Sequence, residues 1–434
     1  LALAIPTLGA TIAQPLFLTI DSAMVGHLGA EKIAGMSLAM IIINTVYGMS
    51  IFLAYSTTAE TAQAMGAGNE RRARELGVHA MWLAAIIGIT LAGVLALIGT
   101  PLLRALGAAE EIMPYAYQYI FIIFLGIPTT YLYNVTASLI RALGDSKTPV
   151  YFLILASVIN IVLDFVTIVG FGFSVNGPAL ATVFSQAVSG ILCIFYMRKK
   201  FPLLRFAPRE LNFDLRKCEI LLAMALPMGL QYSITAIGSV IVQSAVNMLG
   251  TVTVAAVTAG QKISMFLCSV YDALGATMAT YAGQNVGAGK LRRVKEGVYV
   301  ATRIGILYGL FAFLLCFLFG DKLPQLFISS EQTEILRQAK LFLLINAAFY
   351  GALTVVNVWR FTIQGMGYSV FAILAGVAEM AARTFMGFVG VRFFGVYAIF
   401  FASPLAWLAA DCFLIPAFHH CHRKLCLLLG LQEE

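Results

Sequence analysis

The sequence predicts an all-α polytopic membrane protein with twelve transmembrane helices in two six-helix lobes. Of its 434 residues, 60% are hydrophobic and 11% are charged, whereas a soluble domain carries about 25% charged residues. Apolar runs such as 80–103 and 150–171 have the length that a helix needs to cross about 30 Å of hydrocarbon. A helix satisfies its own backbone hydrogen bonds in lipid, and barrel strands would be shorter and would alternate polar with apolar residues.

Charges, glycines and prolines divide the chain into twelve predicted spans, near 1–25, 35–60, 78–103, 113–135, 149–171, 177–198, 218–243, 252–279, 297–320, 336–360, 369–392 and 397–420. The chain begins inside an apolar run without a charged segment before it, so we interpret 1–25 as the first span and not as a signal peptide. The loops after spans 2, 4, 6 and 8 and the C-terminal tail hold eighteen Lys and Arg residues, and the opposite loops and their edges hold six. By the positive-inside rule both termini are expected in the cytoplasm. The positive-inside rule therefore explains the net charge of +7, which needs no nucleic-acid partner.

The two halves of the chain repeat each other. Gln63-x-x-Gly66-Ala67-Gly68 recurs as Gln284-x-x-Gly287-Ala288-Gly289, a shift of 221 residues (284 − 63), and Pro6 falls on Pro227 at the same shift. Later, Ile140-x-x-x-Gly144 recurs as Ile363-x-x-x-Gly367, a shift of 223 residues (363 − 140). An even number of spans per half gives both halves one orientation, so we expect a pseudo-two-fold axis along the membrane normal. The predicted domains are an N-lobe at 1–200, an inter-lobe linker at 201–217, a C-lobe at 218–420 and a cytoplasmic tail at 421–434.

Carboxylates inside predicted spans are the main candidates for function, because burying a charge in a membrane is costly. Asp21 in span 1 and Asp164 in span 5 each lie about five or six residues from the outer end of their span, and Asn160 lies one helical turn from Asp164 on the same face. Tyr119 in span 4 and Thr182 in span 6 fall at the same depth. Such a layer could form a proton site or a small oxygen-lined sodium site. The alternative is that the acids only cross-link helices.

The second half lacks this set of polar residues. At the repeat shifts, the N-lobe residues Asp21, Asn160 and Asp164 align with Val242, Arg383 and Gly387. Ion coupling is therefore expected in the N-lobe.

The C-lobe has its own polar residues inside spans, and we predict a network among Lys262, Asp272, Glu379 and Arg383. Glu379 and Arg383 are spaced for an intrahelical pair, and Lys262 requires a partner such as Asp272 or Glu379. Structural pairing is the favoured interpretation, and a substrate-binding or gating role is the alternative.

Three motifs resemble the MATE (multidrug and toxic compound extrusion) family along essentially the whole chain. They are Asp21-Ser-Ala-Met-Val-Gly-His-Leu-Gly29, the duplicated Gln-x-x-Gly-Ala-Gly turns, and Ile-Arg-Ala-Leu-Gly-Asp-Ser-Lys-Thr-Pro at 140–149. The Asn160-x-x-x-Asp164 pair resembles the DinF-like branch of that family. The resemblance implies an antiporter that exchanges protons or sodium ions for organic, often cationic drugs by alternating access.

The resemblance also implies roles for particular residues. Asp21, Asn160, Asp164 and Thr182 would hold the ion, and Gln14, Tyr119 and Asn134 would line the cavity of the N-lobe. Independently of the resemblance, Pro15 interrupts span 1 and would be either a static kink or a hinge.

A cell-membrane transporter of this kind needs no cofactor beyond H⁺ or Na⁺, and its expected partners are organic substrates and membrane lipids. We expect a monomer without enzymatic activity, since the sequence has neither GxSxG nor HExxH. The alternative function is a lipid-linked saccharide flippase of the same superfamily, for which a cationic cavity would be expected.

Overall fold

The computed structural model describes residues 5–9, 30–105, 110–205 and 212–430. Two compact units divide the chain, Leu1–Ala225 (unit 1) and Leu226–Glu434 (unit 2). Residues 5–9 are helical, and the longer helices that follow are α1 Ala30–Gly66, α2 Glu70–Ala105, α3 Met113–Ala142, α4 Lys147–Phe165, α5 Asn176–Lys200, α6 Leu215–Met248, α7 Thr251–Gly287, α8 Leu291–Phe319, α9 Thr333–Ala348, α10 Tyr350–Gly365, α11 Val370–Phe385 and α12 Val396–Leu428.

Helices α4 and α11 both continue beyond their regular part. A π-helical turn, Val166–Gly170, follows α4, and another, Met386–Gly390, follows α11 and leads into the short helix Val391–Phe394. Single 3₁₀ turns occur at Pro202–Leu204 and Pro324–Leu326.

The helices have the length and composition of membrane spans. Within the described ranges, nine of them, α2 to α8, α11 with its continuation, and α12, are long and apolar enough to cross a bilayer. Helices α9 and α10 together form a tenth candidate span, bent by 51° between Ala348 and Tyr350, where the sequence predicts one unbroken span at 336–360. Helix α1 has 37 residues, or about 56 Å at 1.5 Å per residue, and contains the predicted second span. The predicted first span falls mostly outside the described residues.

Helix α8 shows which solvent the protein faces. Leu307, Leu310, Phe311 and Leu314 are all more than half exposed and are spaced as one helix face. The opposite face buries the small residues Gly305, Gly309, Ala312 and Cys316. A stripe of large exposed apolar side chains is stable where lipid is the solvent, and small residues allow helices to approach closely inside a membrane.

Unit 1 is built around α3, which packs against α1, α2 and α5. Its buried aromatic residues, Tyr119, Phe124 and Tyr131, belong to the hydrophobic core of the unit. A Cβ atom on Gly88 of α2 would lie 2.9 Å from the Cα atom of Pro128 in α3. The glycine therefore lets α2 approach the backbone of α3.

Unit 2 has two groups of packed helices that share α10. Helix α7 packs against α8, α9 and α10, and α12 packs against α10 and α11. Helix α12 extends to Leu428, beyond the predicted end of the last span near 420. Cys421 and His422 are buried, and a ring nitrogen of His422, Nε2, lies 3.2 Å from the carbonyl oxygen of Leu291.

The predicted repeat is present in the backbone. Glycines with positive φ occur at repeat-related turns in both units, Gly68 (68°) and Gly289 (70°), Gly144 (93°) and Gly367 (93°), and Gly172 (66°) and Gly395 (56°). Glycine adopts this conformation without a steric cost. The ion pairs that follow the first turn repeat as well, Arg71–Glu75 at 3.1 Å and Arg292–Glu296 at 3.0 Å. The turns predicted from Gln-x-x-Gly-Ala-Gly are thereby confirmed.

Candidate functional site

A buried polar cluster lies where α4 packs against α5 in unit 1. Asn160 and Asp164 of α4 have no exposed surface, and Thr182 of α5 is 6% exposed. Asn160 and Asp164 are one turn apart, so both side chains point toward α5. The structure therefore brings together three of the four residues predicted to hold an ion.

Asn160 connects the other two side chains. With its amide group oriented to satisfy both neighbours, the nitrogen donates to Oδ2 of Asp164 at 3.0 Å, and the oxygen accepts from the hydroxyl of Thr182 at 3.1 Å. The assignment of amide oxygen and nitrogen follows from this hydrogen-bond network. Asn160 thus connects the Asp164 carboxylate to α5 by hydrogen bonds.

The backbone is irregular where α4 ends, directly after Asp164. The π-helical turn Val166–Gly170 begins two residues after it, and the hydroxyl of Thr167 donates to the backbone carbonyl of Asp164 at 3.2 Å. A Cβ atom on Gly177 of α5 would lie only 2.6 Å from Oγ1 of Thr167. Glycine at 177 therefore permits the close approach of this turn to the start of α5. Turns of the π type are frequent at functional sites.

Helix α5 continues the polar face beyond Thr182. The hydroxyl of Ser185 donates to the carbonyl of Thr182 at 3.0 Å, and the hydroxyl of Ser189 donates to that of Phe152 at 3.1 Å. Gln186 accepts a hydrogen bond from Thr130 of α3. The sequence predictions did not include these residues, although the spacing of 182, 185 and 189 is that of one helix face.

The residues predicted to line a cavity in the N-lobe have different environments. Asn134 is half-buried, and its amide nitrogen donates to the hydroxyl of Ser50 at 2.8 Å. Tyr119 is 2% exposed and belongs to the hydrophobic core. Gln14, Pro15 and Asp21 lie outside the described residues.

The chemistry of this cluster suits a small cation. A carboxylate, an amide oxygen and a hydroxyl are hard oxygen donors of the kind that bind alkali and alkaline-earth ions. The same carboxylate can instead take a proton. An ionisable side chain at this depth in a span is a candidate for an ion pathway.

Unit 2 contains a second buried polar cluster. Glu379 of α11 accepts a hydrogen bond from Arg360 of α10 and forms an ion pair with Arg383 at 3.3 Å. The three side chains are 3%, 9% and 9% exposed in that order. The Glu379–Arg383 contact matches the predicted spacing, whereas Arg360 was absent from the predicted network. Arg360 could have been included, because an arginine inside an apolar run is expected to have a buried ionic partner.

The other two members of the predicted C-lobe network do not join the ion pairs of this cluster. Lys262 and Asp272 are on α7, which packs against α10, the helix of Arg360. The amino group of Lys262 lies 5.2 Å from the ring centre of Phe327. Among the described residues, neither Lys262 nor Asp272 forms an ion pair.

The helical spans, the internal repeat and the buried ionisable clusters define a polytopic membrane transporter. The model of the MatE family matches residues 6–166 and 227–389, one match in each half of the chain. The chain belongs to the MATE family. Family membership makes it a transporter and not an enzyme.

Relatives of known sequence and structure agree with this assignment. The chain is 27% identical over 337 residues to the probable multidrug resistance protein YoeA of Bacillus subtilis strain 168, covering 76% of this chain and 73% of the relative. It is 24% identical over 347 residues to the FAD transporter of Shewanella oneidensis, covering 79% and 76%. The crystal structure of the Vibrio cholerae MATE transporter VcmN in the bent form is similar over 99% of this chain and 97% of that chain, with a TM-score of 0.92 at 23% identity. At that identity the similarity shows the fold alone.

Proposed function

We propose that this protein exports amphipathic, often cationic drugs in exchange for an inward-moving proton or sodium ion, and that Asp164 of unit 1 carries the coupling. The observation that supports this proposal is the cluster of Asn160, Asp164 and Thr182, which is buried inside predicted spans. The name of the Bacillus subtilis relative, a probable multidrug resistance protein, is consistent with such a cargo. The Asn160–Asp164 pair favours the DinF-like branch of the family.

The proposed coupling acts through the charge of Asp164. Without a cation the buried carboxylate is poorly solvated, and a proton or a sodium ion removes that cost. Asn160 and Thr182 supply the further oxygen ligands that a sodium ion would need, and Asp21 is proposed as the second carboxylate of the site. Drug and ion then compete if they favour different states of the same lobe.

The proposed conformational response lies in the first span. A proline within a helical span lacks one backbone hydrogen bond, so Pro15 would make bending of the predicted first span cheap. A change of charge at Asp21, six residues further along the chain, would alter that bend and change the size of the drug cavity. Gln14, Tyr119 and Asn134 are the residues proposed to line it.

The proposed membrane topology and oligomeric state follow from the sequence analysis. The lobes at 1–200 and 218–420 would alternate access across the cytoplasmic membrane about the linker at 201–217. Both termini, including the tail at 421–434, would be cytoplasmic, and the protein would act as a monomer.

Two other cargoes compete with this proposal. A lipid-linked saccharide carries a pyrophosphate, which requires a cationic cavity, whereas the buried cluster in unit 1 is built around the carboxylate of Asp164. The Shewanella oneidensis relative is named an FAD transporter, and FAD is also an anionic pyrophosphate. Transport of a cation and not of FAD would distinguish the cargoes.

The test is equilibrium binding of ethidium, an amphipathic cation, to the purified protein over a pH series, with and without sodium. Affinity should fall as the concentration of protons or sodium rises, and Asp164→Asn should flatten that dependence. Asp321→Asn is the matched control, because it makes the same change at a side chain that is 71% exposed. Wild-type affinity that is indifferent to both ions would rule out the proposed competition.

A further inference from the structure

The buried ion pairs of unit 2 leave an unbalanced positive charge. Arg360 and Arg383 both bind the carboxylate of Glu379, and all three side chains are more than nine-tenths buried. Two guanidinium groups and one carboxylate sum to +1. Because a charge buried without compensation is strongly destabilising, we expect another anion close to the cluster.

Asp411 is the acid in position to provide it. It lies on α12, which packs against both α10 and α11, and it is 8% exposed. The charged groups that act on it electrostatically are Arg360 of α10 and Glu379 of α11, and Arg383 is held on the other oxygen of Glu379. The other elements that pack against α12 are α8, α9, the π-helical turn Met386–Gly390 and the short helix Val391–Phe394. The charged residues of these elements are not among the groups that act on Asp411. They are Arg292, Arg293, Lys295, Glu296 and Arg303 on α8, Glu334, Arg337 and Lys340 on α9, and Arg392 on the short helix.

Three polar atoms in this part of unit 2 lack hydrogen-bond partners among the described residues. They are Oδ1 of Asp411, Nε of Arg360 and Oε1 of Gln364. Arg360 and Gln364 are spaced by one turn on α10, so they share a face. A buried oxygen that accepts no hydrogen bond is destabilising, and more so if it is charged. The cluster therefore satisfies its ion pairs but not all its hydrogen bonds.

Neither charge state of Asp411 is fully satisfied in this arrangement. The ionised carboxylate balances the extra guanidinium but leaves Oδ1 without a donor. The protonated carboxyl gains a donor of its own but leaves the cluster at +1. A group with opposing costs of this kind can change its protonation state during a functional cycle.

We propose that Asp411 is a second proton-binding site of this transporter, located in unit 2 and electrostatically coupled to the Arg360–Glu379 ion pair. A proton from water binds the carboxylate and forms the neutral acid, and Arg360 then has Glu379 as its one counter-ion. On release of the proton, the carboxylate draws the free Nε–H of Arg360 toward Asp411. Since the positive charge of Arg360 acts on Asp411, a sodium ion would be repelled from the site, and the site is selective for the proton.

The site is independent of the proposed coupling site in unit 1. None of its residues belongs to the cluster of Asn160, Asp164 and Thr182. Substitution of Asp164 should therefore leave the titration of Asp411 in place, and failure of one proposal would not be failure of the other.

The test is infrared difference spectroscopy of the full-length purified protein, comparing acidic with alkaline buffer in the region of the protonated carboxyl stretch. Wild type should show a titrating band that Asp411→Asn removes and Asp164→Asn retains. Asp411→Glu, which keeps a carboxyl on a longer side chain, should retain a band at a shifted frequency and serves if the Asn variant does not fold. Arg360→Lys preserves the charge and should retain the band with a changed midpoint.

Two results would overturn the proposal. One is a spectrum of Asp411→Asn that contains every titrating carboxyl band of wild type. The other is a band that Asp411→Asn removes but whose intensity does not change with pH in wild type, since Asp411 would then hold one protonation state throughout.

Discussion

Replacement of Glu379 by glutamine tests whether the buried ion pairs of unit 2 stabilise the fold. The carboxylate of Glu379 holds the guanidinium groups of Arg360 and Arg383, and all three side chains are nine-tenths buried or more. Removal of one partner from a buried ion pair costs about 3–5 kcal/mol, because the other charge stays buried without compensation. Glutamine keeps one acceptor oxygen for a guanidinium group. We therefore expect a loss near the lower end, about 3 kcal/mol.

Tryptophan fluorescence can report this loss locally. Two of the three tryptophans lie in unit 2, and Trp359 is the residue before Arg360, with its indole N–H donating to Thr302 at 3.1 Å. Unfolding of the purified protein by SDS in mixed micelles, followed by this fluorescence, gives the change in the free energy of unfolding. Ion dependence of ethidium binding should persist in Glu379→Gln, because the proposed coupling site lies in unit 1.

Glu334→Gln is the matched control for this variant. Glu334 accepts two hydrogen bonds from Arg337, at 3.0 Å and 3.1 Å, but both side chains are more than half exposed. Surface ion pairs contribute little because water and salt screen them, so no measurable change is expected. Equal stability of Glu379→Gln and wild type would refute the argument from burial, as would an equal loss in both variants. Complete loss of ion dependence in Glu379→Gln, with stability unchanged, would place the coupling site in unit 2.

Three further substitutions test other parts of the structure. Gly365→Ala should lower the free energy of unfolding by about 1–3 kcal/mol through overpacking, because its Cβ atom would lie 2.5 Å from the carbonyl oxygen of Ala279. The control is Gly93→Ala, whose Cβ atom would have no atom within 4 Å. In the same SDS titration it should be neutral or slightly stabilising. Burial raises the pKa of the Asp145 carboxyl, but hydrogen bonds from Tyr196 and Thr148 outweigh it and hold that pKa below its usual range. This stabilisation is present above the pKa of the unfolded state and is lost as the pH falls through the folded pKa. Asp145→Asn should therefore lower the free energy of unfolding at neutral pH and match wild type in strong acid. An equal difference between the two proteins at both pH values would contradict this reasoning. The ring nitrogens of His79 contact the carbonyl of Glu75 at 2.6 Å and the N–H of Asp214 at 3.0 Å. His79→Phe should therefore accelerate proteolysis within 201–217. An unchanged cleavage rate would show that His79 does not anchor this segment.

The two Gln-x-x-Gly-Ala-Gly turns could be predicted from the sequence because a few neighbouring residues determine their backbone conformation. The Gln-x-x-Gly-Ala-Gly motif ends in glycines that the turn requires, and Gly68 and Gly289 adopt nearly equal φ angles. The pairing of Glu379 with Arg383 likewise follows from a spacing of four residues on one helix. Contacts of this kind depend on few other parts of the chain.

Contacts between helices could not be predicted in the same way. The ion pair between Arg360 and Glu379 depends on the packing of α10 against α11 and on the rotation of each helix about its own axis. The bend between α9 and α10 falls at Phe349, two residues before Gly351, but glycine also occurs inside unbroken helices such as α8. The π-helical turn after Asp164 depends on the close approach of Gly177 to Thr167, which belong to different helices.

The central claim is that Asp164 couples ion movement to drug export, and efflux from proteoliposomes tests it most directly. Wild type, Asp164→Asn and Asp321→Asn are reconstituted, and ethidium transport is followed while a pH gradient and a sodium gradient are imposed separately. Wild type and Asp321→Asn should transport ethidium under at least one gradient, and Asp164→Asn should be inserted and folded but inactive under both. Gradient-driven transport by Asp164→Asn at the wild-type rate would contradict the account.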